Sequence, residues 1–171
     1  MILAIDPGTT ESAFVLYDAG DLVAFDKLRN DVMLDRMFEL MDEHKDLHHL
    51  AIEHVASYGM AVGREVFATC VWTGRFIQRW GGPFTAIYRA DVKIHLCNSM
   101  RAKDANIRRA IIDRYPNATG GGKNPAIGIK SAPGPLYGVS RDVWAALGVA
   151  ITYDETYRLA TQRKFEKPDD D

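Results

Sequence analysis

The sequence predicts an α/β protein built on a mixed sheet flanked by helices. Three observations predict it. Short apolar runs of strand length open the chain and recur at residues 49–54 and 84–88. Longer stretches with apolar residues at helical spacing separate and follow them. The opening runs are joined by tight turns, whereas the later ones are separated by whole helices, which is the signature of antiparallel and then parallel pairing.

Residues 1–6 (MILAID) form a short apolar run ending in a carboxylate, and Pro7-Gly8-Thr9-Thr10 is a turn signal. Residues 12–17 (SAFVLY) and 22–27 (LVAFDK) are strand-like and joined by Asp18-Ala19-Gly20-Asp21, so the start reads as a three-strand meander. Between 32 and 45, Val32, Met33, Met37, Leu40 and Met41 recur at helical spacing among charges. HLAIEH, residues 49–54, reads as a buried strand.

Residues 62–80 are long enough for a helix, with Val66, Phe67, Cys70, Val71, Gly74 and Ile77 on one face. Its Phe76 and Trp80 exceed what one core needs and make this helix the first candidate for a contact between copies, with ordinary core packing as the alternative. A strand at 84–88, a short helix at 91–96 and a helix at 103–115 with a basic face follow. Three consecutive glycines and several prolines mark 117–138 as a flexible loop, which a compact domain keeps for function or leaves mobile. DVWAALGVA, from residue 142, begins a small-residue helix able to pack close to a sheet. The organisation expected is one domain over residues 1–165 with a polar tail at 166–171.

The chain has 171 residues, 47% of them apolar, and a formal net charge of −2. That length suits one domain with one sizeable core. No apolar run approaches the roughly 18 residues of a membrane helix, and the N-terminus lacks a basic region before an apolar one. Neither a span nor a signal peptide is expected, and the expected location is the cytoplasm, or the host cytoplasm for a phage product. Cys70 and Cys97 lie outside any CxxC or Cys/His cluster and read as reduced thiols.

The small net charge conceals a segregated one. Residues 1–54 carry 12 acids against 4 bases, while residues 75–130 carry 11 bases against 3 acids. One electropositive and one acidic face are expected, with solvated helix surfaces as the alternative.

Asp6 ends the first strand, Glu53 lies inside the apolar strand AIEHV, and Asp142 opens the last helix. A charged group in apolar strand sequence must be paired, solvated in a cleft or bound to a cation. Hard oxygen ligands suit Mg2+ or Mn2+, and three convergent carboxylates can hold two such ions about 4 Å apart for phosphodiester hydrolysis. A helix cap for Asp142 and a turn-forming role for Asp6 stay open at this level.

Taken together, AIDPGTT (4–10), AIEHV (51–55), a helix with TGR (73–75), AKDANIRRAIIDRYP (102–116) and DVWAALGVAIT (142–152) resemble the RuvC family of Holliday-junction resolvases, most closely its phage-encoded branch. The resemblance covers nearly the whole chain in order. It implies an RNase H-like fold, a homodimer, branched DNA such as a four-way junction as substrate, and nicking dependent on Mg2+, with Mn2+ as substitute. Asp6, Glu53 and Asp142 match the catalytic, metal-binding carboxylates, and Lys103 matches a Lys acting near the scissile phosphate.

Two departures stand out. The family's last helix usually carries a further acid or His within a pattern like DxxDALA, whereas Asp142 is alone here, with Ala145 or Val139 in the partner position. Family members also often have an aromatic residue three positions after the strand Glu; here that position is Ala56, and Tyr58 is the nearest substitute.

The bases support the same reading independently. Lys93, Arg101, Lys103, Arg108, Arg109 and Lys123 would neutralise phosphates without reading bases, as suits recognition of branch shape. Two rivals remain. Asp6-Pro7-Gly8-Thr9-Thr10 also resembles the first phosphate loop of the actin and sugar-kinase ATPases, which need two such domains where 171 residues admit one. The other is a non-catalytic or RNA-directed protein of the same fold.

Overall fold

A computed structural model describes residues 1–57, 59 and 61–158. β1 (Ile2–Asp6), β2 (Glu11–Asp18) and β3 (Asp21–Arg29) form the antiparallel meander. α1 (Asn30–Glu43) then leads to β4 (His49–His54), which pairs parallel to the free edge of β1. α2 (Arg64–Trp80) leads to β5 (Phe84–Tyr88), parallel to β4, and the sheet order is β3-β2-β1-β4-β5. α3 (Arg89–Cys97), α4 (Asp104–Ile112) and α5 (Val143–Tyr153) follow, and a π-helical turn, Asp154–Arg158, extends the last helix.

The alternation of the strands divides the core in two. Leu3 and Ile5 of β1, Phe14 and Leu16 of β2, and Leu50 and Ile52 of β4 pack beneath Met33, Met37 and Leu40 of α1 and Phe76 and Trp80 of α2. Ile2 and Ala4, Ala13 and Val15, and Ala51 face the other way, onto α3, α4 and α5. Nearly all of α5 is buried. Its small residues let it lie close to its neighbours: a Cβ built on Gly148 would stand 3.1 Å from Val92 Cγ1 of α3.

Two local expectations are corrected. On α2 the buried positions are Thr73, Phe76 and Trp80; of the apolar face read from the sequence, Val66 is half-buried and Ile77 packs on the core, while Phe67, Cys70, Val71 and Gly74 are exposed, so that face turns mostly outward. Phe76 and Trp80 belong to the core, because the helix is seated by its three largest C-terminal rings, Trp72 included. The basic helix ends at Ile112 rather than at residue 115, and Tyr115 instead donates from its hydroxyl to the Gly20 carbonyl at 3.1 Å. Segment 117–138 is mostly turns and loop. It holds a hairpin, β6 (Gly128–Ile129) with β7 (Ala132–Pro133), and buries Ala126 and Leu136 in the α5-side core. Its glycines serve that packing, since a Cβ on Gly134 would meet the Pro125 carbonyl oxygen.

Cys70 and Cys97 are free thiols. Among the described residues no helix is long and apolar enough to cross a membrane. Tyr58 and the tail at 166–171 lie outside the described residues.

Candidate active site

The site grows out of the parallel pairing of β1 and β4. Their register runs from Ile2 opposite His49 to Ile5 opposite Ile52, so Asp6 and Glu53 are the next pair in step. By alternation both continue the Ala4 and Ala51 side of the sheet, the side covered by α5. The carboxyl ends of parallel strands are where open α/β sheets present their chemistry. Asp6, Glu53 and Asp142 all line one cleft of about 160 Å³ there, together with Arg89, Asp104, Arg141, Trp144 and Ala145.

Asp6 is fixed by the turn that follows it. The Gly8 N–H donates to Ser12 Oγ at 3.1 Å, Ser12 Oγ donates to Asn30 Oδ1, and Asn30 Nδ2 donates to the Gly8 carbonyl. A Cβ on Gly8 would lie 2.2 Å from the Glu11 carbonyl oxygen, so the turn needs glycine there. The Gly8 amide is therefore used inside the protein rather than left open to a nucleotide phosphate.

Burial pushes the Asp6 carboxyl up to about 8, and the neighbouring charges of Glu53 and Asp142 push the same way against Arg89 and Lys27. Glu53 is also raised by burial, opposed chiefly by Arg89. Asp142 occupies the N-cap position of α5 but makes no capping hydrogen bond; its Oδ2 instead lies 2.8 Å from Lys27 Nζ of β3.

Sequence reasoning missed four residues of the cleft. Arg89, the first residue of α3, donates from Nη2 to Asp104 Oδ1 at 2.6 Å and holds Nη1 3.4 Å from Glu53 Oε2. Asp104 opens α4, Arg141 adopts the left-handed conformation at φ 46°, and Trp144 stacks under Arg108 with 5.1 Å from guanidinium to ring centre. Arg89 directly follows β5, and only the pairing of β5 with β4 brings it to Glu53, which no sequence signal shows.

None of the predicted bases lines this cleft. Lys103 caps α4 through its N–H to Asn106 Oδ1 at 2.9 Å, with its side chain exposed; the cleft-lining residue is its neighbour Asp104. Lys93 is half-buried on α3 and its charge acts on Glu53. Arg101 is exposed between α3 and α4, and Arg108 is exposed on α4. Arg109 is paired with Asp113 at 2.9 Å and shares a second cleft, of about 290 Å³, with Lys123.

Among the described residues no three His, Cys, Asp or Glu side chains converge closely enough to enclose an ion. Arg89 lies against Glu53 and Asp104, and Lys27 against Asp142. The donor set itself suits a divalent ion: it is all oxygen, it is partly buried, and its mutual repulsion raises Asp6. Hard cations such as Mg2+ and Mn2+ take such ligands.

No family model matches the sequence, and no curated protein matches it. Solved structures do match the fold. The RuvC structure of Thermus thermophilus superimposes with a TM-score of 0.62 at 16% identity, covering 94% of this chain and 96% of that one. The same protein in complex with a Holliday junction substrate gives 0.63 at 16% identity, over 94% and 96% of the two chains. The Fowlpox virus resolvase, in a complex with substrate Holliday junction DNA, gives 0.51 at 13% identity, over 91% and 99%. The protein therefore has an α/β fold of the RNase H-like class. Within that class the fold is that of the RuvC-like resolvases.

Proposed function

We propose that this chain is a structure-selective endonuclease, one nuclease domain that resolves Holliday junctions and other branched DNA by two-metal-ion hydrolysis and works as a homodimer. The observation that carries the reading is the meeting of Asp6, Glu53 and Asp142 on one cleft, at the carboxyl ends of adjacent parallel strands. The shared fold with resolvases seen on junction DNA supports it.

Asp6, Glu53 and Asp142 are the residues to hold the ions, Mg2+ or Mn2+ in its place. When bound, such ions activate water and neutralise the leaving oxygen of a phosphodiester. The protein's own task is to hold these carboxylates rigidly and to seat the phosphate. Lys103, Lys93, Arg101, Arg108, Arg109 and Lys123 grip the DNA backbone, and Tyr58 is the residue to meet the branch. The products carry a 3′-hydroxyl and a 5′-phosphate, so nicked strands are ligatable. The partner copy docks on the outward face of α2, where Phe67 and Val71 are 63% and 61% exposed.

One observation favours a second reading, binding without cleavage: Ala145 lines the cleft with a methyl where a further acid would complete the set. Cleavage of a mobile four-way junction with Mg2+ and with Mn2+ separates the two. The wild type should nick symmetrically, and Asp6→Asn should lose cleavage while keeping or strengthening binding. Undiminished cutting by Asp6→Asn overturns the metal assignment. Nanomolar junction binding by a wild type that never cuts establishes the binding module.

A further inference from the structure

The acidic lining of the cleft comes from both of its walls. On α5, Asp142 and Ala145 stand one helical turn apart and both line it, one with a carboxylate and the other with a methyl. From α4, Asp104 lines the same cleft. Its Oδ1 takes a charge-assisted hydrogen bond from Arg89 Nη2 at 2.6 Å, and the other arm of that guanidinium faces Glu53 Oε2 at 3.4 Å.

A guanidinium clasped between two carboxylates marks a place where two anionic side chains already converge on one cation. Among the lining residues there are four carboxylates, Asp6, Glu53, Asp104 and Asp142, against two guanidiniums, Arg89 and Arg141, with Lys27 behind Asp142. Once Asp6 gives up its proton the excess is negative, and a compact divalent ion concentrates more charge between oxygens than a delocalised guanidinium does. The Asp104 side chain is 87% exposed, so it can turn without disturbing the core.

We propose that Asp104 supplies the fourth carboxylate of the divalent-ion site, from α4 where α5 carries Ala145, and that Arg89 holds it beside Glu53 until an ion takes that place. The assignment rests on the nuclease reading above and extends it to a residue outside the resemblance.

The test measures binding rather than cleavage. Mn2+ is titrated into the full-length protein and the free ion is followed by electron paramagnetic resonance, for wild type, Asp6→Asn, Ala145→Asp, Asp104→Asn and Asp104→Asn combined with Ala145→Asp. Loss of the Asp104 carboxylate should weaken Mn2+ binding by about 10-fold, and Ala145→Asp should recover most of that loss. Ala145→Asp on the wild-type background is the control: a gain confined to the Asp104→Asn background marks Asp104 as a ligand, whereas an equal gain in both backgrounds marks it as a residue that only anchors Arg89 and overturns the assignment. Wild-type affinity in Asp104→Asn, or a loss that Ala145→Asp does not recover, overturns the assignment while weakened binding in Asp6→Asn leaves the nuclease site standing. If Asp6→Asn also binds Mn2+ as the wild type does, the nuclease site falls and Asp104 with it.

Discussion

The Ser12 hydroxyl donates to Asn30 Oδ1 across 2.6 Å, with both residues 1% exposed. That contact joins the start of β2 to the start of α1, and through Gly8 it holds the turn that follows Asp6. Asn30→Ala should cost about 1–3 kcal/mol, the range for leaving buried partners unsatisfied. Urea denaturation measures it. Catalysis should suffer in addition, since the same contacts position Asp6.

The buried Asp6 makes ion-free stability depend on pH with a defined sign. Its carboxyl is lifted from the ordinary 3.8 to about 8, so between those values the folded chain holds a proton that the unfolded chain has released. The stabilisation is complete below about pH 4 and is lost as the pH rises through about 8. In EDTA the melting temperature of the wild type should therefore decline across that window relative to Asp6→Asn. Divalent-ion binding displaces the proton and should tighten as the pH rises over the same range. Parallel melting curves for the two proteins would remove the burial argument.

Much of the architecture was legible because it is written in local periodicity. The strands at 49–54 and 84–88 coincide with β4 and β5, and the meander with β1 to β3. That Asp6 and Glu53 share a cleft was legible because a carboxylate in apolar strand sequence needs a partner, a cleft or a cation, whereas Asp142 stands at a helix start, where aspartate is common. What escaped depends on rotation and tertiary placement. On α2 two faces are apolar, and only contact with Met33 and Met37 selects the one bearing Phe76. Lys103 and Asp104 differ by one residue, about 100° around a helix, and the sequence holds no cue for which of them lines the cleft. Arg89 gains meaning only once β5 is beside β4.

The two faces of α2 should respond oppositely to substitution. Phe76 is fully buried, and Phe76→Ala should cost about 3–5 kcal/mol of folding stability. Phe67→Asp with Val71→Asp, on the exposed face, should leave the melting temperature of the monomer nearly unchanged. If the partner copy docks there, sedimentation should show the dimer replaced by monomer. A dimer that survives both substitutions places the interface elsewhere.

Gly148 sets how closely α5 approaches α3 and α4, the helices that carry Arg89 and Asp104. Its missing side chain leaves room for Val92, Leu96 and Ile107, all within 3.7 Å of the position a Cβ would take. Gly148→Val should overpack this contact at a cost of about 1–3 kcal/mol. Thermal denaturation reads the loss, and divalent-ion affinity should fall with it because the cleft walls are displaced together.

Lys27 acts on Asp6 without touching it. Its Nζ lies 2.8 Å from Asp142 Oδ2 and 3.3 Å from Glu11 Oε2, and these carboxylates raise its own affinity for a proton. Partners this exposed stabilise little, about 0–1 kcal/mol, so Lys27→Met should fold much like the wild type. Its charge nevertheless lowers the Asp6 carboxyl, against the upward push of burial, Glu53 and Asp142. Removing that charge also leaves Asp142 uncompensated, and both changes favour the protonated form of Asp6. The pH at which ion-free stability levels off should therefore move upward in Lys27→Met, as read from melting temperatures in EDTA. In an Asp6→Asn background the same substitution should produce no such movement, because the titrating group is gone. A downward shift, or one that persists without Asp6, would mean that another group governs the profile.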